Sequence, residues 1–328
     1  MLNTKLHLNN DVFLKNAKRM SMRQGFGDGI LELVKKNSDI LVLTADLASS
    51  LKILPIQDSF PKNFIQVGIA EQNMAGIAAG LALSGKIPFI TSFAIWNPGR
   101  NWEQIRTSIC LSNANVKIIG SHAGLSHSYD GAAAQCLEDI ALARVLPRMV
   151  VISPCDYLQT IKAITWAESH KGPVYIRLAR EDVLEITTHG TPFEYDKIQK
   201  LVEGNQVTLA ATGTMVYEAL QAAKELKSKH KVSVEVINVH TIKPLDDEGI
   251  IESAKKTKLV VTVEDHQVIG GLGSAIAEVL AQKHPTKLIR IGVNDKFGES
   301  GTYEELKDKY GLSAHHIVNK VLKELNVE

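Results

Sequence analysis

Two α/β domains in tandem are what this sequence predicts, the first a doubly wound parallel sheet and the second smaller. Three observations carry that reading. Short β-branched runs recur through the first half at helix-length intervals, the pattern lapses after Arg180, and a second, shorter series begins near residue 206. Near-continuous apolar strands alternating with helical stretches mark a parallel sheet covered on both faces.

The first series comprises Asp39–Asp46 (DILVLTAD), Phe64–Gly68 (FIQVG), Pro88–Ala94 (PFITSFA), Val116–Ala123 (VKIIGSHA), Met149–Asp156 (MVVISPCD) and Pro173–Ala179 (PVYIRLA). Such sheets gather function beyond the carboxyl ends of their strands. Asp46, His122 and Arg180, which close three of these runs, are therefore candidates, although strand termination alone accounts for any one of them. Residues 181–204 read as a linker. The boundary falls near residue 190, giving domains over 1–190 and 191–328. The second series is Gln206–Gly213, Val232–Ile242, Leu259–His266 and Lys287–Val293, with helical stretches between.

At 328 residues the chain is long enough for two cores. Its 37 Lys and Arg nearly cancel 36 Asp and Glu, and no block of like charge stands out. The basic stripe of a nucleic-acid binder is missing. No apolar run approaches the roughly 18 residues that span a bilayer, and the N-terminus lacks a secretion signal. Three cysteines, Cys110, Cys136 and Cys155, show no metal-type spacing and suit a reduced, cytoplasmic setting.

The most informative stretch is GIAEQNMAGIAAGLALSGKIPF, Gly68–Phe89. Glu71 follows a strand and opens a helix lined with Ala75, Gly76, Ala78, Ala79, Gly80 and Ala82. A first-turn acid favoured by the helix dipole accounts for Glu71 without any function. The small residues predict a face that another helix approaches closely.

That segment resembles the transketolase and deoxyxylulose-phosphate-synthase group. The resemblance continues through PFITSFAIWNPGRNWEQIR, SHAGLSHSYDGAAAQCLEDIALARVLPRMVVISPCD and VYIRLARED, and resumes with VEDHQVIGGLGSAIAEVL and IRIGVNDKFGESGTYEELKDKYGL. It implies a thiamine-diphosphate pyrimidine-binding domain followed by a transketolase C-terminal domain. It also implies that Glu71 hydrogen-bonds N1′ of the aminopyrimidine, favouring the ring tautomer that takes the proton from the thiazolium. Phe93 and Trp96 match the aromatic residues that sandwich that ring. Gly99 replaces a third, leaving the pocket looser or completed by Trp102. Asp46 matches a position beside the cofactor and the subunit contact. Arg23, Ser50, His122 and Arg180 match a site for the distal phosphate of a sugar, where guanidinium forks suit an oxyanion. Asp130 matches a contact to a substrate hydroxyl.

One departure stands out within the resemblance. After Asp130-Gly131 relatives place a histidine near the reacting oxygen, where this chain has Ala134. His127 in the same loop, the partner chain, an altered substrate or a weakly active subunit each explains the change. The altered substrate ranks first, because the distal anion site is retained.

The domain that would bind Mg²⁺ and diphosphate is missing from this stretch of sequence. Gly27-Asp28-Gly29 imitates its motif but follows no strand and opens a helical segment. The resemblance thus implies a separate N-terminal-section partner carrying the metal and diphosphate ligands, none of them here, and an α2β2 assembly. The Gly270–Ser274 turn reads as close strand–helix packing rather than a phosphate cradle. The expected activity is two-carbon ketol transfer from a ketose to an aldose. A β-subunit of a 2-oxoacid dehydrogenase and a silent scaffold paralogue are the alternatives.

Overall fold

The computed structural model describes residues 2–327. Along the chain run β1 (Arg19–Ser21), α1 (Met22–Lys36), β2 (Ile40–Thr44), α2 (Leu54–Ser59), β3 (Phe64–Gln66), α3 (Glu71–Leu83) and β4 (Ile87–Phe93). Next come α4 (Trp102–Gln104), which continues as a π turn over Ile105–Cys110, then β5 (Lys117–Ser121), α5 (Asp139–Arg144), β6 (Val150–Ile152), α6 (Tyr157–Ser169), β7 (Val174–Arg177) and β8 (Asp182–Leu184). The rest is β9 (Gln199–Val202), β10 (Val207–Ala211), α7 (Met215–His230), β11 (Val234–Asn238), β12 (Thr241–Lys243), α8 (Asp247–Thr257), β13 (Leu259–Gln267), α9 (Leu272–Lys283), β14 (Lys287–Val293), α10 (Tyr303–Lys309) and α11 (Ala314–Leu325).

The first sheet has the order β12-β6-β7-β5-β4-β2-β3, parallel except for β12 at its edge. Helix α1 shows why it is covered as it is. Met22, Phe26, Ile30 and Val34 recur every fourth residue, form one apolar face, and are buried. Burying each contributes roughly 1.5–3 kcal/mol relative to exposure. Gly25, Gly27 and Gly29 let the same helix lie against Tyr157, Lys52 and Ile164 with no room for a Cβ. Ser21 caps its start and Lys35 and Lys36 occupy its last turn. Asp28 accepts from Gln24 and Tyr157, and the expectation of a helix start after no strand is corrected: Gly27-Asp28-Gly29 lies inside α1, which follows directly on β1, and serves as packing surface.

The second sheet, β14-β13-β10-β11-β9, is parallel apart from edge strand β9. Two expectations need correction here. The run Val232–Ile242 is two strands in two sheets: β11 stays in the second, while β12 crosses over and pairs with β6, Thr241 opposite Ile152. Period and β-propensity cannot reveal which sheet a short strand joins. The linker over 181–204 is also not structureless. Its first residues form β8, antiparallel to β1, and its last form β9. Both are short edge strands whose pairing comes from distant segments, and edge strands carry little apolar signal.

Candidate functional site

Glu71 is the first residue of α3 and is 1% exposed. A strand leading directly into a helix delivers the carboxyl to the N-terminal end, where the backbone dipole favours negative charge. Its Oε1 accepts from Ser92 Oγ at 3.2 Å and its Oε2 from Arg100 Nη1 at 3.0 Å. Buried Asn101 donates to the Glu71 carbonyl and to Asn97, fixing the loop after β4 against the helix start. Arg100 also lies over the Trp96 ring, 5.3 Å from its centroid.

From Trp96 an aromatic stack crosses the strand ends. Trp96 and Phe93 stack at 5.1 Å and 16°, Phe93 meets His122 at 3.8 Å, and His127 stands edge-on to Phe93 at 5.0 Å. The expected sandwich is corrected by this geometry. An inserted ring needs roughly two stacking separations between its neighbours, and these two rings already touch. Between them the two rings leave no slot for a planar ligand. Trp102 does not complete the pocket either, because its indole N–H donates to Leu142 O at 2.8 Å and its ring joins the apolar core.

His122 follows β5 with φ 56° and is 3% exposed, its Nδ1 2.8 Å from Ser121 Oγ. Burial, reinforced by Arg23, His127 and Arg180, pushes its pKa down to about 2. The ring is neutral at any working pH and acts as a hydrogen-bonding group rather than a cation. Arg23 donates to Ser50 O at 3.1 Å and to Arg180 O at 2.9 Å, tying α1 to two strand-end loops. Burial and the nearby Arg180 charge lower its pKa, so it is a cation held where charge is costly. Arg180, one-third exposed, pairs with Glu181 and lies 6.0 Å from the Tyr129 ring. Ser50 takes part here through its carbonyl.

His127 shares its loop with Ala134. Its Nδ1 lies 3.2 Å from Ala134 O, and its Nε2 faces the exposed Asp130 carboxylate. The structure therefore puts an imidazole beside the alanine. Asp46 stands apart from this group, exposed at the end of β2 with φ 61°, its N–H donating to Gln66 Oε1.

Contacts thus link Glu71 through Arg100, Trp96 and Phe93 to His122 and His127, and His127 to Asp130, while Arg23 is tied to the Arg180 carbonyl. Arg100, Ser92 and Asn101 escaped the sequence reading. The only signal was an arginine four residues past Trp96 in a glycine-containing loop, too common to single out. The Gly270 turn is filled from within, since Glu264 accepts from Leu272 N at 2.7 Å and Gly273 N at 2.8 Å.

Comparison with known proteins is consistent across the chain. The family model described as transketolase, pyrimidine binding domain, matches residues 18–184, and that described as transketolase, C-terminal domain, matches residues 196–317. The 6-deoxy-6-sulfo-D-fructose transketolase subunit SqwH of a Clostridium species is 43% identical over 297 residues, covering 90% of this chain and 92% of its own. An apulose-4-phosphate transketolase subunit of Phocaeicola vulgatus is 34% identical over 305 residues, covering 93% and 97%. A solved structure described as a split gene transketolase, inactive beta4 tetramer, is 45% identical, has a TM-score of 0.88, and is covered to 99% by 94% of this chain.

Proposed function

The chain belongs to the transketolase family, and from that premise we propose that it is the pyrimidine-binding half of a two-chain, thiamine-diphosphate-dependent enzyme. That enzyme moves a two-carbon ketol unit from an anionic ketose to an aldose. The observation that carries this reading is the run of contacts from Glu71 through Arg100, Trp96 and Phe93 to His122, with the Arg23 and Arg180 charges near enough to depress the His122 pKa. It sets a proton-handling carboxylate at one end and an anion-attracting pair at the other.

The residues present suit the aminopyrimidine of the cofactor. A carboxylate 1% exposed beside an aromatic stack offers N1′ a partner and the ring a face. They do not suit its diphosphate. The described residues hold one cluster of three metal-type donors, Asp308, His315 and His316, on α10 and α11, far along the chain from the Glu71 site. The Mg²⁺ and diphosphate ligands accordingly fall to an N-terminal-section partner. When bound, the cofactor supplies the electron sink for carbon–carbon cleavage.

Each side chain then has a task. Glu71 holds a proton at N1′, with Ser92 and Arg100 fixing its two oxygens. His122, with Ser121 Oγ–H donating to Nδ1, presents Nε2–H to a substrate oxygen. His127 and Asp130 form a pair over the sugar hydroxyls, the imidazole standing in for the one missing at Ala134. Arg180 releases Glu181 to meet the distal anion, while Arg23 supplies fixed positive charge. The two relatives whose names specify a substrate act on a sulfonated and a phosphorylated sugar, which supports an anionic tail here.

Assembly follows from the surface of α3. Added Cβ atoms at Gly76 and Gly80 would meet nothing within 4 Å, and Ile69 and Leu83 are 75% and 68% exposed. An apolar helix with a bare small-residue face suits a subunit contact, here self-association within an α2β2 enzyme in the cytoplasm. The test is to assay ketol transfer with the chain alone and with its partner. Turnover should need both chains and should favour ketoses with a sulfonate or phosphate tail. Tight cofactor binding by the chain alone, or equal kcat/KM for an uncharged ketose, would overturn it.

A further inference from the structure

We propose that the second domain sets the shape of the substrate loop, with Asp265 as the positioning residue. The role rests on reading that loop as the substrate contact.

The loop runs from His122 to Gln135 and carries His122, His127 and Asp130. Within it Ser126 Oγ donates to Ala123 O at 2.6 Å and His127 lies against Ala134 O and Asp130, while Arg180 N donates to Ser126 Oγ from the first domain. Gly124 N donates to Cys136 O at 2.7 Å to close the neck, and Ala134 N and Gln135 N both donate to Gly131 O at 3.0 Å. Gly124 and Gly131, at φ 68° and 73°, hold backbone conformations that other residues adopt only under strain.

The second domain grips it at three places. At the entry, Asp265 Oδ1 accepts the Leu125 N–H at 2.9 Å, and Gly124 lies so close to that carboxylate that any Cβ would collide with it. At the middle, Gly301 N donates to Ser128 O at 3.2 Å and Gly131 faces Ser300 Oγ. At the exit, Gln135 Nε2 donates to Glu299 O at 2.9 Å while Gly298 packs on the same amide. Wherever the loop meets this domain, a glycine permits the approach.

Asp265 is itself held from both domains. It is 2% exposed, its Oδ2 accepts from Tyr303 OH at 3.1 Å, and its carbonyl accepts from Arg177 Nη2 at 2.6 Å. Arg177 in turn is bonded to Asp139 in the first domain. The side chain is therefore a fixed acceptor aimed at one backbone N–H of the loop. It touches none of the groups assigned to ligand and acts through Leu125.

Two substitutions separate positioning from bulk stability. Asp265→Asn keeps Oδ1 for Leu125, and its amide can donate to Tyr303 OH, which turns its own proton to Thr214 Oγ1, 2.8 Å away. Asp265→Ala orphans the Leu125 N–H. Hydrogen exchange measured on the folded chain should show residues 122–135 opening at least ~10-fold faster in Asp265→Ala, the scale of one lost buried bond. Exchange in β4 and β10 should be unchanged, and Asp265→Asn should restore wild-type rates. Uniformly faster exchange, no change in the loop, or failure of asparagine to restore it would overturn the proposal. Gln135→Met, which removes the exit contact to Glu299 O together with a longer bond to Ser128 O inside the loop, should likewise speed exchange over residues 122–135 if Asp265→Ala does not fold, and no change there would overturn the grip of the second domain. In the assembled enzyme Asp265→Ala should raise KM for the ketose about tenfold with kcat within about threefold. If wild-type complex shows no ketol transfer, the functional reading fails and the exchange experiment still decides this proposal.

Discussion

Glu71 in the first domain opens helix α3, whereas Glu264 in the second lies within strand β13 with its carboxylate against the start of α9, and both are buried, 1% and 0% exposed. Their partners separate them. Both oxygens of Glu264 accept backbone N–H groups of α9, so the carboxylate replaces a cap and faces inward. Glu71 is held by two side chains, the buried Ser92 of β4 and a half-exposed Arg100, and its helix turns a bare face outward. Burial marks both residues alike. What distinguishes the candidate catalytic carboxylate is that its partners are side chains, one of them the half-exposed Arg100, rather than backbone N–H groups of its helix.

The sharpest way to break this comparison is to make the same substitution at both. Glu71→Gln in the assembled enzyme should lower turnover ~10²- to 10⁴-fold, the usual reach of a positioned acid–base group. Glu264→Gln should leave turnover within about threefold on the same scale. Steady-state assays of both variants check it, and equal losses would erase the distinction.

Stability against pH sharpens it further. Burial pushes Glu264 up to about 7 from 4.5. Between those values the folded state binds more protons than the unfolded, so stability is fully present below about pH 4.5 and lost as pH rises toward 7. The loss amounts to roughly 3 kcal/mol by linkage. His122 acts in the opposite sense: its pKa is depressed, so its contribution is present above pH 6.5 and lost in acid. Denaturant unfolding across pH 4–8 should show a Glu264-dependent fall that disappears in Glu264→Gln.

A smaller effect is expected at the far end of the first domain's site. Arg180→Ala should raise KM for an anionic ketose by about 1.5–3 kcal/mol, the worth of a hydrogen bond to a charged group, with kcat little changed. An uncharged ketose should not register the change. Arg23→Ala should differ, because that guanidinium holds the Ser50 and Arg180 carbonyls: its first readout is a lower melting temperature.

The smallest effect tests Ala134. With His127 already against the Ala134 carbonyl, Ala134→His should crowd the loop and reduce the native reaction a few-fold, roughly 1 kcal/mol of overpacking. A gain in activity would mean that His127 does not do the work of the missing imidazole.

The sequence by itself determined the two-domain α/β architecture, because long β-branched runs and helical periodicity are local properties. It also determined that Asp46, His122 and Arg180 stand at strand ends, which follows from where each run stops. Family resemblance then drew attention to Glu71, Phe93, Trp96 and Asp130. Only the tertiary structure decided how these groups meet. Arg100 pairs with Glu71 across a loop, Trp102 turns to the core, and β12 leaves its own domain to complete the first sheet. It alone decided that Asp265, far along the chain, holds the Leu125 backbone. The physical reason is the range of each interaction. Backbone conformation and apolar period are written within a few neighbouring residues, whereas ion pairs, ring stacking and edge-strand pairing depend on which distant segments the fold brings within a few ångströms.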